Sequence, residues 1–194
     1  MKLTYTYTIH STNWMLDNKE DDYMHDGPEI LKFTFREYLD VEDCREVAQL
    51  LIKRYHSDDD MFETLDDGDA DDHVIYDALY EDTIASQRVH HMLCGSDLFV
   101  LHNLKVNEEF RGQGIGTRIM NRIHTLIQDH TGTFDPAIML IPGAFEIPHE
   151  QAEARQRADK RLEKFYKRFG FKQMSKNYNV MYNYKYYCRC NGLM

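Results

Sequence analysis

The order of elements predicted from this sequence is that of an α+β protein, with helices packed against a central sheet. Three observations lead to this fold class: alternating β-favouring runs near the N-terminus, a buried strand that leads through a glycine-rich turn into a helix, and a tyrosine-rich run near the C-terminus. The length of 194 residues suits one domain, so a single domain is expected over residues 1–194.

The charge balance is acidic, with 23 basic and 33 acidic residues and a formal net charge of −10. A negative surface repels phosphate backbones, so nucleic acid is not an expected partner and cationic substrates are favoured. Net negative charge also keeps any globular protein dissolved, which makes this a weak indicator by itself.

The sequence carries four cysteines and shows neither a signal-peptide pattern nor an apolar run of the ~18–20 residues that a membrane span needs. A cytoplasmic location without a membrane partner is therefore expected. Cys188 and Cys190 have no second Cys/His pair at ligand spacing, which favours free thiols over a metal site, and no metal is expected.

The first half of the chain is predicted to hold two strands and then two helices. Alternation over residues 3–9 and 30–35 predicts strands that can form a hairpin, joined by a polar loop over residues 18–28. Apolar spacing over Cys44–Tyr55 predicts an amphipathic helix capped by Asp40. A second helix is predicted from about residue 72 to residue 93.

An acidic loop is predicted between these helices, at about residues 57–72. The run contains no basic residue, and self-repulsion is expected to keep most of it solvated. A calcium-loop register with Gly68 as its sixth residue would put Leu65 and Val74 at ligand positions, so a calcium site is not expected.

The second half is predicted to begin with a mostly buried strand, Leu98–Val106, and a helix that starts near Gly114 and ends before Gly132. The buried side of that helix is predicted to comprise Ile115, Ile119, Ile123, Leu126 and Ile127. A short strand over residues 137–141, a helix from about residue 148 with Gly170 as its C-cap, and a strand pair over residues 171–188 complete the prediction.

Residues 111–116 read Arg-Gly-Gln-Gly-Ile-Gly and link the buried strand to its helix. Such a turn suits a pyrophosphate, because unpaired N–H groups and the helix dipole point toward the ligand. A dinucleotide fingerprint fails because its third glycine would fall on Thr117 or Ile119, and the chain contains no Gly-Lys-Ser/Thr of a Walker A motif.

Arg111, Gly114 and Gly116 match the Gln/Arg-x-x-Gly-x-Gly/Ala acetyl-CoA signature, and this segment resembles that of the GNAT superfamily. Residues 162–171 are similar to the family's late helix with its aromatic-Tyr-x-x-hydrophobic-Gly-Phe turn. The resemblance covers about residues 98–188 and implies a three-layer, GNAT-like fold with a mixed, mostly antiparallel central sheet flanked by helices. The first half departs from it, since a typical member places two short helices between its first two strands.

The resemblance implies an N-acetyltransferase that moves an acetyl group from acetyl-CoA to a primary amine of a small molecule, peptide or protein by direct attack. Tyr166 is the implied general acid, beside the CoA sulfur. The implied cofactor-binding residues, acting mainly through their backbone, are Leu104, Lys105, Val106, Arg111, Gly112, Gln113, Gly114, Ile115, Gly116 and Thr117. The expected partner is an amine-bearing acceptor, for which a cation is favoured, and a homodimer is allowed.

The general base is left open. Some family members carry a Glu on the strand after the phosphate helix, but residues 138–141 here contain no carboxylate. His102, Glu146 and His149 are the candidates, and Asp159 stands where many relatives have a CoA-contacting Asn. The missing carboxylate keeps open a catalytically weak domain that binds CoA as a sensor or interaction module. An acidic decoy that mimics nucleic acid is a third reading.

Overall fold

A computed structural model describes residues 3–11, 27–38, 44–57, 61–93, 95–143 and 148–184. The strands are β1 (Leu3–Ser11), β2 (Glu29–Tyr38), β3 (Cys44–Tyr55), β4 (Leu98–Val106), β5 (Ala137–Leu140), β6 (Lys172–Gln173) and β7 (Met181–Asn183). The α-helices are α1 (Met61–Asp66), α2 (Ala70–Tyr80), α3 (Ile84–Leu93), α4 (Ile115–Met120), α5 (Ile123–Thr131) and α6 (Ala152–Lys167). Short 3-10 turns occupy Glu108–Phe110 and His149–Gln151.

The strands form one mixed sheet in the order β1-β2-β3-β4-β5-β7-β6. The β4–β5 pair is parallel and the other pairs are antiparallel. One buried cluster packs α4, α5 and α6 against the sheet, and a second packs α1, α2 and α3 against it. The predicted fold class, a mostly antiparallel sheet flanked by helices, is confirmed.

The predicted N-terminal hairpin is present, since β1 and β2 pair in antiparallel register from Leu3↔Glu37 to Ser11↔Glu29. Of the loop predicted over residues 18–28, the part up to residue 26 lies outside the described residues. At the C-terminal end, β6 and β7 form the predicted strand pair, but it is shorter than expected, and residues beyond 184 lie outside the description.

The predicted helix over Cys44–Tyr55 is wrong, because this segment is the strand β3 between β2 and β4. A β-bulge between Phe35 and Arg36 lets the adjacent residues Val47 and Ala48 both be buried. The bulge therefore replaces strict alternation with apolar pairs at helix-like spacing. A central strand that is covered on both faces also shows a continuous apolar run instead of a clean period of two.

The acidic run is not a loop over its whole length, which corrects a second prediction. It contains α1 and the first turn of α2, where Asp69 is the N-cap and Asp72 completes a capping box. Lys53 of β3 donates to both carboxylates at 2.6 Å. The basic partner was missed because it comes 16 and 19 residues earlier in the chain.

Two predicted helices are each divided. The helix expected over about residues 72–93 is α2 and α3, separated at Glu81, where hydrogen bonds between Thr83 and Ser86 begin α3. The helix after the glycine-rich turn is α4 and α5, and it ends at Gly132, whose φ of 71° is left-handed. All five residues predicted for its buried side are buried. Among the described helices, none is long and apolar enough to cross a membrane.

Candidate active site

The strands β4 and β5 pair over three residues and then part. The parallel register runs from Leu98↔Ala137 to Val100↔Met139, whereas β4 continues to Val106. Within the described residues, no strand pairs with β4 on this side beyond Val100. Backbone N–H and C=O groups require partners, so this edge can bind an extended ligand.

A cavity of about 1040 Å³ opens where the strands part. Its volume lies at the upper end of the ~300–1,000 Å³ typical of small-molecule sites. The lining comes from β4, the glycine-rich turn with the 3-10 turn before it, the start of α4, and α6, with single contributions from α2 and the segment after β5. The lining residues are Asp71, His102, Asn103, Leu104, Lys105, Val106, Phe110, Arg111, Gly112, Gly114, Ile115, Gly116, Thr117, Gly143, Ala158, Arg161, Leu162, Phe165 and Tyr166.

The glycine-rich turn requires its glycines. Gly112 and Gly114 have φ of 77° and 74°, and a Cβ built on either would meet nothing within 4 Å, so both face open space. Gly114 is the N-cap of α4, and the first helical bond runs from Arg118 N–H to the Gly114 carbonyl at 3.0 Å. The preceding N–H groups of the helix therefore have no acceptor within it.

Gly116 has a different role, in packing. A Cβ there would lie 3.6 Å from Phe165 of α6 and 3.9 Å from Val106 of β4. Both are ordinary van der Waals distances, so Gly116 packs against α6 and β4 at the start of α4.

Arg111 connects the turn to the strand. Its Nε donates to the Val106 carbonyl at 3.0 Å, and its guanidinium lies 3.8 Å from the Glu108 carboxylate. The Gln113 side chain points elsewhere and donates to the Glu109 carbonyl at 3.2 Å. Every predicted cofactor-binding residue lines the cavity except Gln113.

Tyr166, the predicted general acid, is buried on α6 and lines the cavity. Its ring contacts those of Phe165 and Phe171 edge-on, with centroids 5.3 and 5.8 Å apart. Burial raises the pKa of Tyr166 to about 12, so the phenol keeps its proton at neutral pH. A proton donor and a packed ring are thus combined in one side chain.

The candidates for the general base separate in the structure. His102 lines the cavity, whereas Glu146 and the side chain of His149 lie outside what the structure describes. Asp159 does not line the cavity, although its neighbours Ala158 and Arg161 do.

Several lining residues were not anticipated, above all Asp71, Asn103 and Arg161. Asp71 sits in the acidic run that was expected to be solvated, and burial together with the charge of Asp69 raises its pKa. The helical spacing of Arg161 with Ala158 and Leu162 was available in the sequence as a signal. No local signal marked Asp71, because only the tertiary fold brings α2 to β4.

Comparison with known proteins identifies the family of this chain. Residues 71–173, more than half of the chain, match the family model described as the acetyltransferase (GNAT) domain. Among curated proteins, none matches the chain significantly. The chain is similar to the crystal structure of a KacTA–DNA complex, with a TM-score of 0.47, 11% identity, and coverage of 94% of this chain and 93% of that one.

A second similar structure is Arabidopsis thaliana NAA60 in complex with acetyl-CoA, with a TM-score of 0.42 and 11% identity over 93% of this chain and 98% of that chain. The expectation that nucleic acid is not a partner is contradicted, because one of these similar structures is a complex with DNA. Net charge sums the whole surface, whereas a binding face depends on local charge, so the acidic balance excludes nothing of this kind.

Proposed function

This chain belongs to the GNAT acetyltransferase family, and on that premise we propose that it moves an acetyl group from acetyl-CoA to a primary amine by direct attack. The observation that carries the proposal is the opening between β4 and β5, with a glycine-rich turn at one side and a buried phenol on α6 at the other. The acceptor is an amine on a small molecule, peptide or protein.

The residues of the cavity fit a CoA thioester. Gly112 and Gly114 present backbone to open space, as close approach of a pyrophosphate requires, and Arg111 and the Thr117 hydroxyl add donors. The edge of β4 at Leu104 and Lys105, with which no described strand pairs on this side, provides N–H and C=O groups for the amide-bearing pantetheine arm. The Val106 carbonyl that follows accepts from Arg111.

The chain's own groups then carry the acetyl transfer. Backbone N–H groups near Leu104 stabilise charge that develops on the thioester oxygen. Tyr166 donates its phenolic proton to the departing thiolate, and its raised pKa keeps that proton in place until the thiolate forms.

A binding module is the second candidate. All four residues of β5 are buried and none is a carboxylate, so the strand offers no base. A domain that binds CoA but turns over slowly would serve as a sensor or interaction module. Free-thiol release with a panel of primary amines separates the two, because only an enzyme releases CoA in an amine-dependent way.

Two glycine variants test the glycine-rich turn as a pyrophosphate site, by calorimetry with acetyl-CoA. Gly114→Ala and Gly95→Ala both place a methyl group at a left-handed residue with nothing within 4 Å, at φ of 74° and 78°. Each should cost about 1 kcal/mol in stability. Gly114→Ala should also weaken acetyl-CoA binding at least about tenfold, the effect of losing roughly 1.4 kcal/mol of binding free energy. Gly95 lies outside the cavity, so Gly95→Ala should leave acetyl-CoA binding unchanged. Absence of acetyl-CoA binding by the native chain would refute the proposal.

A further inference from the structure

His102 and Asp71 reach the same cavity from two different elements, β4 and α2. Both side chains are half-buried. The charge of His102 acts on the carboxyls of Asp69 and Asp71, which places the imidazole within electrostatic range of both. The fold therefore brings an imidazole and a carboxylate together in a partly desolvated site.

The position of His102 follows from a bulge in β4. Leu51 pairs with Asn103 and Ile52 pairs with Leu101, so His102 is the extra residue between them. A bulge bends the strand and redirects the side chain. His102 also comes two residues after Val100, the last β4 residue paired with β5, and thus stands where the cavity opens.

Within the part of β4 that lines the cavity, His102 lies farthest from the glycine-rich turn. From His102 to Val106 the strand extends about 13 Å at the ordinary rise per residue. A pyrophosphate on the turn and a pantetheine arm along the strand leave the reacting end of the thioester beside His102. This step rests on the proposed function.

Asp71 is held in place by its neighbours. Lys53 binds the carboxylates of Asp69 and Asp72 at 2.6 Å, which fixes the first turn of α2 against β3. The Asp71 N–H donates to Asp69 Oδ1 at 3.1 Å, and Asp71 lines the cavity. Lys53 binds the other two carboxylates directly, so Asp71 is the acidic residue of this turn that lines the cavity without pairing to Lys53.

Charged and titratable groups reach the pair from several elements. The charges of Asp69, Asp72 and Lys53 act on Asp71. The cavity itself is also lined by Lys105 of β4, by Arg111 of the glycine-rich turn, and by Arg161 and Tyr166 of α6. Burial and the charge of Asp69 raise the pKa of Asp71, while the charges of His102 and Lys53 oppose this. A carboxylate beside an imidazole stabilises the imidazolium that forms when the imidazole accepts a proton.

We propose that His102 is the general base of the acetyl transfer and that the charge of Asp71, which lines the same cavity, stabilises the imidazolium that His102 becomes. A ring nitrogen of His102 takes one proton from the acceptor ammonium, and the neutral amine attacks the thioester carbon. The C–N bond forms and the C–S bond breaks, with the electron pair leaving on sulfur. Tyr166 protonates that sulfur and regains a proton from the amide nitrogen as it becomes neutral. His102 releases its proton to water, so one proton is lost per turnover.

The pH dependence of kcat/KM for a primary amine tests the pair. His102→Gln should lower kcat by about 10²–10⁴-fold, the usual contribution of a general base, and remove the acidic limb of the profile. Asp71→Asn should move that limb to lower pH with a smaller loss of kcat, and Asp71→Glu should restore its position. Asp67→Asn, which removes an equal charge from the exposed turn before α2, should leave the profile unchanged.

A second measurement needs neither substrate nor turnover. The Asp71 carboxyl resonance, titrated by NMR, should show a further rise of its pKa in His102→Gln, because the charge of His102 lowers it in the native chain. His91→Gln, an exposed histidine of α3, should have no effect. An unchanged Asp71 titration in His102→Gln would overturn the coupling.

The outcomes separate this proposal from the function on which it rests. A native chain that binds acetyl-CoA but acetylates no amine would refute the proposed acetyltransferase activity. A native chain that is active, with a His102→Gln variant of equal kcat and an intact acidic limb, would refute only the general base. Circular dichroism spectra that match the native chain confirm that each variant compared is folded.

Discussion

At the scale of single residues, Tyr166 shows how burial sets the protonation state of a side chain. Its ring packs between Phe165 and Phe171 in the main core, while the residue also lines the cavity. Burial disfavours the charged phenolate, which raises the pKa to about 12. The same packing that stabilises α6 therefore keeps the phenol protonated.

Tyr166→Phe should lower kcat by about 10²-fold or more while the ring packing is retained, because the proton donor is lost. The native chain should hold its kcat through pH 10, the ordinary tyrosine value, since a phenol whose pKa is raised to about 12 is still protonated there. The measurement is kcat against pH from 7 to 10.5. Tyr178 lies outside the cavity, so Tyr178→Phe is the matched control. Equal activity of both variants would contradict a general-acid role for Tyr166.

At the scale of elements, the bond between β3 and α2 depends on one buried lysine. Lys53 is 7% exposed and pairs with Asp69 and with the almost fully buried Asp72. Burial lowers the pKa of Lys53, but hydrogen bonds and charge from the two aspartates outweigh it, so the net direction is upward. For Asp69, burial acts upward, but the hydrogen bonds from Lys53 and the Asp72 backbone together with nearby positive charge outweigh it, so the net pKa is lowered.

Lys53→Met should destabilise the chain by about 3–5 kcal/mol, because it leaves the Asp72 carboxylate buried without its cation. The double variant with Asp72→Leu should recover most of this loss. Lys167→Met, which removes the exposed pair with Glu163, should cost only about 0.3–0.5 kcal/mol. Urea unfolding measures the stability of all three variants. Equal losses of unfolding free energy from Lys53→Met and Lys167→Met would contradict a buried ion pair at Lys53.

The stability that Lys53 gains from Asp69 and Asp72 should also depend on pH in a defined range. A raised Lys53 pKa means stability that is complete below 10.5 and lost as pH rises through the folded value. A lowered Asp69 pKa means stability that is present above 3.8 and lost as pH falls through its folded value. The difference in unfolding free energy between native and Lys53→Met chains should thus be largest between these limits.

At the scale of the whole molecule, the cavity is lined by elements from both core clusters. It is lined by β4, the glycine-rich turn, α6 and the start of α2. These belong to both sides of the sheet, since α6 packs in one core cluster and α2 in the other. A ligand in the cavity would therefore stabilise the fold as a unit.

Acetyl-CoA should raise the melting temperature through preferential binding to the folded chain. At one hundred times its Kd the gain is about 2.7 kcal/mol, which corresponds to roughly 5–10 °C for a domain of this size. Differential scanning fluorimetry measures the shift. At the same ligand concentration Gly114→Ala should show a smaller shift and Gly95→Ala the native one, and a native chain that does not shift would contradict the site.

Much of the second half could be predicted because its signals are local. The turn at residues 111–116, the buried face of α4 and α5, and the helix that carries Tyr166 each depend on residues within a few positions of one another. Helical periodicity and left-handed glycines are visible at that range, and they were enough to indicate the family and most of the cavity wall.

Tertiary structure decided the remainder. β3 is a strand because it pairs on both sides, and bulges obscure its period. Asp71 lines the same cavity as His102, and Lys53 binds Asp69 and Asp72, only because the chain folds α2 back onto the sheet. Pairing register and long-range charge neutralisation depend on residues far apart in sequence, which local patterns do not report. The sequence by itself thus determined the glycine-rich turn and the helix that carries Tyr166, and the fold alone brought Asp71 to the cavity that His102 lines.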